Sequence, residues 1–287
     1  MKRDRGVFWR VAALLLITLL LWGSIGFAET GERVVSLGAD LDVGQRAEML
    51  SYFGVEEDRV NIIEVTNQEE YQYLEGVAGR EQIGTRAISS VYLELLPDGE
   101  GSKVRTHNIT WVTPEMYTAT LLTAGVEDVL VTAAAPFPVS GTAALTGVVK
   151  AFEEVTGESL SEENKRVAHE EIIILGELAE EADDTDQTTE LLQRAKEEVL
   201  SNRPLDSEQI EEIIRRLAGE MEIQLSEEQV AQLTSFLEKF NELDIDVQEL
   251  RRQIEHFAAD PATRSFFAAA LELLADFFMM IVEMLRR

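Results

Sequence analysis

The stretch of the chain that decides its fold is TPEMYTATLLTAGVEDVLVTAAAPFPVSGTAALTGVVKAFEEVTG, residues 113–157. Thr113 followed by Pro114 is a typical helix start, because threonine caps the first amides and proline is tolerated at the first helical position. The apolar residues 127–135 then predict a strand, and residues 140–155 predict a second helix that stops at Gly157. A helix, a strand and another helix in direct succession indicate helices packed on a sheet.

The sequence before this stretch predicts four more strands and two short helices. The two helices start at the capping residues Asp42 and Asn67. The turn-forming sequence PDGEGS, residues 97–102, predicts a hairpin between the strands on either side of it. Pro136 and Pro138 are expected to end the strand that precedes them. The four additional strands are predicted at residues 33–37, 60–65, 87–96 and 103–112.

After about residue 157 the pattern is helical and carries a recurring start signal. The signal occurs as LDSEQI at residues 205–210 and again, in similar form, as LSEEQV at residues 225–230. In each, Asp or Ser is the N-cap and Gln follows three residues later, which is a capping box. Apolar residues then recur at helical spacing. The pattern predicts a small bundle of short amphipathic helices.

The fold class expected from these patterns is α+β, with a mixed sheet and packed helices followed by an all-helical region. The acidic residues 180–187 are a candidate linker within the helical region, because they hold almost no apolar side chain. The expected organisation is a signal peptide at residues 1–28, an α/β sheet domain at 29–157, a helical region at 158–260 and an amphipathic helix at 261–287.

The first 28 residues have the three parts of a secretory signal peptide. A basic start is followed by an apolar run at residues 11–22 and by Gly26-Phe27-Ala28, small residues at the two positions that a signal peptidase reads. The apolar run is too short for a comfortable transmembrane helix. Cleavage is expected after Ala28, which predicts a secreted, extracellular or cell-envelope protein.

The chain is strongly acidic and has no cysteine. Its 54 acids and 25 bases give a formal net charge of −29, and removal of the signal peptide, which carries a net +3, takes it to −32. Such a charge repels nucleic acid and anionic lipids and argues against both as partners. It also attracts cations, although dispersed surface acids need no ligand. The lack of cysteine excludes disulfides, thiolate metal sites and a cysteine nucleophile.

One candidate anion site lies at Ser140, Gly141 and Thr142, because the amides at a helix start can bind an anion. The alternative is an ordinary helix cap after a proline-rich bend. A nucleophile elbow is excluded, since the positions two before and two after the serine are not glycine. Gly125 is expected to end a helix in the left-handed conformation and to tolerate alanine less well than Gly141 does.

No resident cofactor is expected, but weak calcium binding is an open alternative. The chain lacks the glycine-rich phosphate loops of nucleotide-binding proteins. An acidic run resembles a calcium loop, although it lacks the glycine at position six and the glutamate at position twelve of an EF-hand. The candidate metal ligands are Asp183, Asp184 and Asp186.

The last helix, residues 264–287, has an apolar face wider than one neighbour in a small bundle covers. It is therefore a candidate interaction element, to be covered by the bundle, by a second copy of the chain or by a membrane surface. Three acids in its polar sector disfavour the membrane. The candidate interaction residues are Phe266, Phe267, Phe277 and Phe278.

Five segments between residues 84 and 145 form a distinctive set: GTRAISSV at residues 84–91, THNIT at 106–110, TPEMY at 113–117, TAGV at 123–126 and AAPFPVSGTAAL at 134–145. Together they resemble the YpuA-like family of proteins secreted by Gram-positive bacteria. The resemblance extends from about residue 33 to residue 257. It implies a signal peptide and a domain of unknown function, and it supplies no catalytic or binding residues.

Three functional hypotheses follow. Because the chain has no catalytic motif and ends in a broad apolar face, the leading hypothesis is a non-enzymatic protein that binds an extracellular or envelope partner. The first alternative is a hydrolase of a cell-wall or extracellular polymer that uses carboxylates alone. A cleft with two convergent acids, one of raised pKa, would favour it. The second alternative is self-association, or binding to a membrane surface, through residues 264–287.

Overall fold

The computed structural model describes residues 32–252 except 75–76, 78–82, 182–184, 204, 246–247 and 249. The predicted signal peptide lies outside the described residues. So do the predicted helix at 261–287 with its four phenylalanines and two of the three candidate calcium ligands, Asp183 and Asp184.

The sheet has five strands: β1 Arg33–Gly38, β2 Asn61–Val65, β3 Ser90–Leu95, β4 Lys103–Ile109 and β5 Val129–Val139. Their order is β2-β1-β3-β5-β4. The β1–β2 and β4–β5 pairs are parallel, and the β1–β3 and β3–β5 pairs are antiparallel. The predicted mixed sheet is confirmed.

The predicted hairpin between β3 and β4 is wrong, because β5 lies between these two strands. The connection crosses the start of β5 and is held there by Asp128. The Asp128 carboxylate accepts hydrogen bonds from the amides of Gly99, at 2.8 Å, and Gly101, at 2.7 Å. The Leu96 amide donates to the Asp128 carbonyl at 2.6 Å. The turn residues 97–102 therefore span one strand instead of closing a tight hairpin.

The expected end of β5 before Pro136 is also wrong, since the strand continues to Val139. The pairing of β5 with β3 stops at Ala134, so the two prolines lie beyond that ladder, where their missing amide hydrogens break no β3 bond. On the other side β4 bulges between His107 and Ile109, and the side-chain amide of Asn108 donates to the Ala135 carbonyl at 2.9 Å.

Eight helices lie in the described part of the chain: α1 Val43–Phe53, α2 Asn67–Leu74, α3 Pro114–Ala124, α4 Thr142–Thr156, α5 Glu162–Glu181, α6 Thr185–Ser201, α7 Ser207–Glu220 and α8 Glu227–Glu242. Capping boxes start three of them, at Asp42, Asp206 and Ser226. The α+β class and the all-helical later region are confirmed. The candidate linker 180–187 overlaps the end of α5 and the start of α6.

Helices cover the two faces of the sheet unequally. One face packs on α4 and is continuous with a large core that extends through α5–α8 and includes Val131, Leu145, Ile172 and Phe236. On the other face α1 packs on a small cluster around Leu37. The sheet and the helical region share the larger core. In the described part of the chain, every helix is too short or too polar to cross a lipid bilayer.

The order in which Gly125 and Gly141 tolerate an added side chain is the reverse of the one expected. Gly125 ends α3 with φ +83°, so the left-handed conformation is confirmed, and a Cβ there meets only ordinary contacts. Gly141 has φ +103°, and its Cβ would lie 2.4 Å from Ile109 Cγ2 and 2.7 Å from Tyr117 Oη. The structure therefore makes Gly141 the less replaceable residue, because strain and a clash coincide there.

Candidate functional site: an acidic cleft and three buried polar clusters

The predicted anion site at the start of α4 contacts a carboxyl group of the protein itself. Gly141 is the N-cap and makes no side-chain cap bond, while Ser140 lies before it with its hydroxyl 3.5 Å from that of Thr142. The buried Thr142 hydroxyl donates to Glu70 Oε1 at 2.6 Å. Binding of an external anion at Ser140, Gly141 and Thr142 stays a prediction, and Glu70 is the residue that the sequence did not indicate.

Glu70 lies on α2 and is fully buried. Burial raises the pKa of its carboxyl to about 7, although hydrogen bonds from Thr142 and Asn67 oppose the shift. Tyr117 lies close by and donates its hydroxyl to the Gly141 carbonyl. Burial raises the pKa of Tyr117 as well, with a further contribution from Glu70. This cluster joins α2, α3 and α4 in the interior.

A second buried cluster surrounds His169 on α5. Its Nδ1 donates to the Lys165 carbonyl at 2.7 Å, so its Nε2 accepts a hydrogen bond from the Thr146 hydroxyl at 2.9 Å. The imidazole stacks on Tyr73, with ring centroids 4.6 Å apart. Burial lowers the pKa of His169 to about 4. The imidazole is therefore neutral at pH 7 and joins α2, α4 and α5.

The third cluster is a fully buried ion pair between Glu171 and Lys196, 2.7 Å apart. Thr123 donates to Glu171, and Lys196 donates to the Ala119 carbonyl at 3.0 Å. The ammonium also lies 5.1 Å from the centre of the Phe240 ring. Burial raises the pKa of Glu171 and lowers that of Lys196, while their mutual attraction opposes both shifts.

A cleft of about 610 Å³ opens between the end of α5 and the start of α8. Four of its lining residues are glutamates, so its walls are strongly acidic. The remaining lining residues are mostly polar, among them the capping residues of α8. The described lining residues are Glu177, Leu178, Glu180, Glu181, Ser226, Glu228, Gln229 and Gln232.

Neutral groups orient the cleft carboxylates. The Trp111 indole donates to Glu180 at 2.7 Å, and the Gln229 side chain donates to Glu181 at 2.9 Å. Trp111 reaches this position because Gly176 has no side chain, since a Cβ there would lie 2.1 Å from the indole ring. Amide and indole donors fix the carboxylates without neutralising them. Glu180, Glu181 and Glu228 form no ion pair within the described residues.

The third calcium candidate, Asp186, lies on α6. Among the described residues, no group of three or more His, Cys, Asp or Glu side chains is arranged to hold a metal ion. Because Asp183 and Asp184 lie outside these residues, weak calcium binding there stays a prediction.

The described geometry separates the two features that a carboxylate hydrolase would combine. Glu70, with its pKa near 7, is buried between α2 and α4 and does not line the cleft between α5 and α8. A general acid must lie within hydrogen-bond reach of the bond that it protonates. Glu70 is therefore not placed to act as a general acid in this cleft.

These features define an α+β protein with a mixed five-stranded sheet and a helical region that carries an acidic cleft. The chain belongs to the family described as Protein of unknown function (DUF1002), whose model matches residues 37–257. It is 37% identical over 255 residues to the uncharacterized protein YpuA of Bacillus subtilis (strain 168), covering 88% of this chain and 87% of the relative. The YpuA-like resemblance is thereby confirmed. No solved structure matches the chain.

Proposed function

We propose that this protein is a non-enzymatic binding protein whose acidic cleft takes a cationic ligand. The observation that carries the proposal is that four glutamates line one cleft of about 610 Å³. That volume falls in the range of about 300 to 1,000 Å³ that is usual for ligand sites. Carboxylates clustered on one concave surface attract a shared cation more strongly than dispersed surface acids do.

The ligand class is a flexible polyamine or lysine-rich peptide. An ammonium group donates three hydrogen bonds, and the carboxylates of Glu180, Glu181 and Glu228 have oxygens left to accept them. Several ammonium groups on one chain match several carboxylates in one cleft. A divalent metal ion fits less well, because the cleft glutamates are not grouped as metal ligands within the described residues.

Titration calorimetry with tetralysine in 0.15 M NaCl tests the cleft. Replacing two cleft carboxylates, in Glu181→Gln/Glu228→Gln, should weaken binding at least tenfold, because two ion pairs are lost. The matched control Glu208→Gln/Glu212→Gln removes the same charge from exposed positions on α7 and should change the affinity less than twofold. Equal weakening by the two double variants would show that the affinity for tetralysine depends only on the net charge. It would refute the proposal that tetralysine binds in the cleft.

We further propose that the protein works outside the cytoplasm, at the cell surface or in the medium. The support is the order of basic, apolar and small residues in the first 28 positions. N-terminal sequencing of the exported protein should give Glu29 as the first residue. Protein that is recovered only from the cytoplasm and still begins with Met1 would contradict this location. Self-association or membrane contact through residues 264–287 is a further proposal that awaits a measurement of oligomer size and lipid binding.

A further inference from the structure

One corner of the sheet is left uncovered by the described helices. On the face where α1 packs, coverage ends where Tyr52 stacks on His107, with ring centroids 4.5 Å apart. Further along the β4–β5 pair, Thr132 lies opposite Arg105, and Leu130 lies opposite Lys103. The β5 side chains in these rows are half-buried and the β4 side chains are exposed. We call this surface the open corner: Lys103, Arg105, His107, Leu130 and Thr132.

The open corner is basic in a chain whose acids outnumber its bases 54 to 25. Arg105 forms no ion pair within the described residues. Lys103 pairs with Glu100 at 3.0 Å, and beside the corner Arg33 pairs with Glu94 at 3.3 Å. Of these three cations, Arg105, in the middle of β4, is the one without an ion-pair partner among the described residues.

The open corner also ends at a strand edge. Strand β4 is last in the described sheet, so alternate backbone N–H and C=O groups along its outer side have no strand to bond. Lys103, Arg105 and His107 are two residues apart, and their side chains therefore repeat every 6.6 to 6.8 Å or so on one face. A strand added beside β4, about 4.8 Å away, would place its own alternate side chains against them.

We infer that the open corner docks an extended acidic segment of a partner protein, added to the sheet as a strand beside β4. Backbone hydrogen bonds to the edge hold the segment, and acidic side chains at every second position pair with the β4 cations. Arg105 is the central anchor, because its guanidinium can bind a carboxylate through two parallel hydrogen bonds.

The overall negative charge of the protein does not prevent this docking. At 0.15 M salt the Debye length is about 8 Å, so acids elsewhere on the surface are largely screened from a ligand at the corner. At the corner itself the exposed Arg105 has no ion-pair partner within the described residues, so an acidic side chain of the added segment does not compete with an existing ion pair there.

Fluorescence anisotropy with two labelled peptides in 0.15 M NaCl tests the inference. In the first peptide four glutamates alternate with threonines. In the second, four contiguous glutamates follow four threonines, so composition and charge are the same. The alternating peptide should bind, and the contiguous peptide should bind at least tenfold more weakly, because only two of its four carboxylates can lie on the face that meets the β4 cations. No binding of the alternating peptide up to 1 mM, or equal binding of both, would overturn the inference.

Two protein variants locate the binding. Arg105→Glu should weaken the alternating peptide at least tenfold, because it replaces the central anchor with a like charge. Arg59→Glu makes the same charge change in the turn before β2, at the opposite edge of the sheet, and should change the affinity less than twofold. Melting curves should show that both variants are folded. An equal loss of affinity in both variants would show that peptide binding depends on the overall charge and not on the open corner. That result would also overturn the inference. The cleft double variant Glu181→Gln/Glu228→Gln should bind the peptide as the unaltered protein does, so the two proposals fail separately.

Discussion

Replacing Lys196 with methionine is expected to lower the free energy of unfolding by about 3 to 5 kcal/mol at pH 7. Methionine keeps the length and apolar stem of the side chain, so most of the packing against Phe240 is retained. What is lost is the only ammonium within ion-pair distance of Glu171 among the described residues. The fully buried carboxyl must then stay charged without a counter-charge or take up a proton, and both options cost free energy.

The double variant Lys196→Met/Glu171→Leu separates charge from packing. Removal of both partners leaves no buried charge, so the double variant should recover most of the lost stability. Lys103→Met, which breaks an exposed pair, is the control and should change the free energy of unfolding by less than about 1 kcal/mol. Urea unfolding at pH 7 measures all three. A loss below about 1 kcal/mol for Lys196→Met would mean that the pair is not buried as described.

Helix starts were predictable because their signal is local. Asp206 accepts a hydrogen bond from the Gln209 amide and donates its own amide to the Gln209 side chain, and Ser226 does the same with Gln229. All the atoms concerned lie within four residues of one another. Three-dimensional context is not needed to form such a box, so a single sequence reveals it.

Strand order was not predictable in the same way. The turn residues between β3 and β4 are typical of a hairpin, but their chemistry does not tell whether another strand lies between the two. That is decided by Asp128, twenty-seven residues after Gly101, whose carboxylate holds the turn over the start of β5. Only the folded chain brings the two segments together.

The buried polar residues escaped prediction for a related reason. Glu70, Glu171 and Lys196 lie on helices rich in charged residues, where a charged side chain usually faces water. Whether one of them is buried depends on the helix that packs against it. The helix start at Ser140, Gly141 and Thr142 was predicted, because a glycine before a helix is a local signal. The carboxyl that meets Thr142 there belongs to a helix 72 residues away.

The free energy of unfolding is expected to fall as the pH rises, because of Glu70. The variant Glu70→Gln should not show this decrease. The folded pKa of Glu70 is about 7 and its ordinary value is 4.5. The folded state therefore holds a proton that the unfolded state releases, and the stability that this proton provides is complete below about pH 4.5 and lost by about pH 7. Linkage puts the loss at about 3 kcal/mol. Glutamine is neutral at every pH, so this dependence disappears in the variant.

His169 has the opposite dependence over nearly the same range. Its folded pKa is about 4 and its ordinary value is 6.5. Between about pH 4 and pH 6.5 the unfolded state therefore binds a proton that the folded state does not bind. The stability from the neutral imidazole is complete above about pH 6.5 and lost as the pH falls through about 4, again by about 3 kcal/mol. His169→Gln removes this contribution, and its constant packing loss does not change the slope.

The two dependences should nearly cancel in the unaltered protein between pH 4.5 and 6.5, where one group loses what the other gains. Urea unfolding at half-unit steps from pH 4.5 to 7 should therefore reveal each one only in its variant. Relative to the unaltered protein, the free energy of unfolding of Glu70→Gln should rise by about 3 kcal/mol across this range. That of His169→Gln should fall by about as much. Taking differences removes the contributions of Glu171 and Glu190, whose pKa values burial raises in every variant. If either difference stays within about 1 kcal/mol, that side chain is in contact with water, and the cluster that joins α2 to α4 around it is not closed.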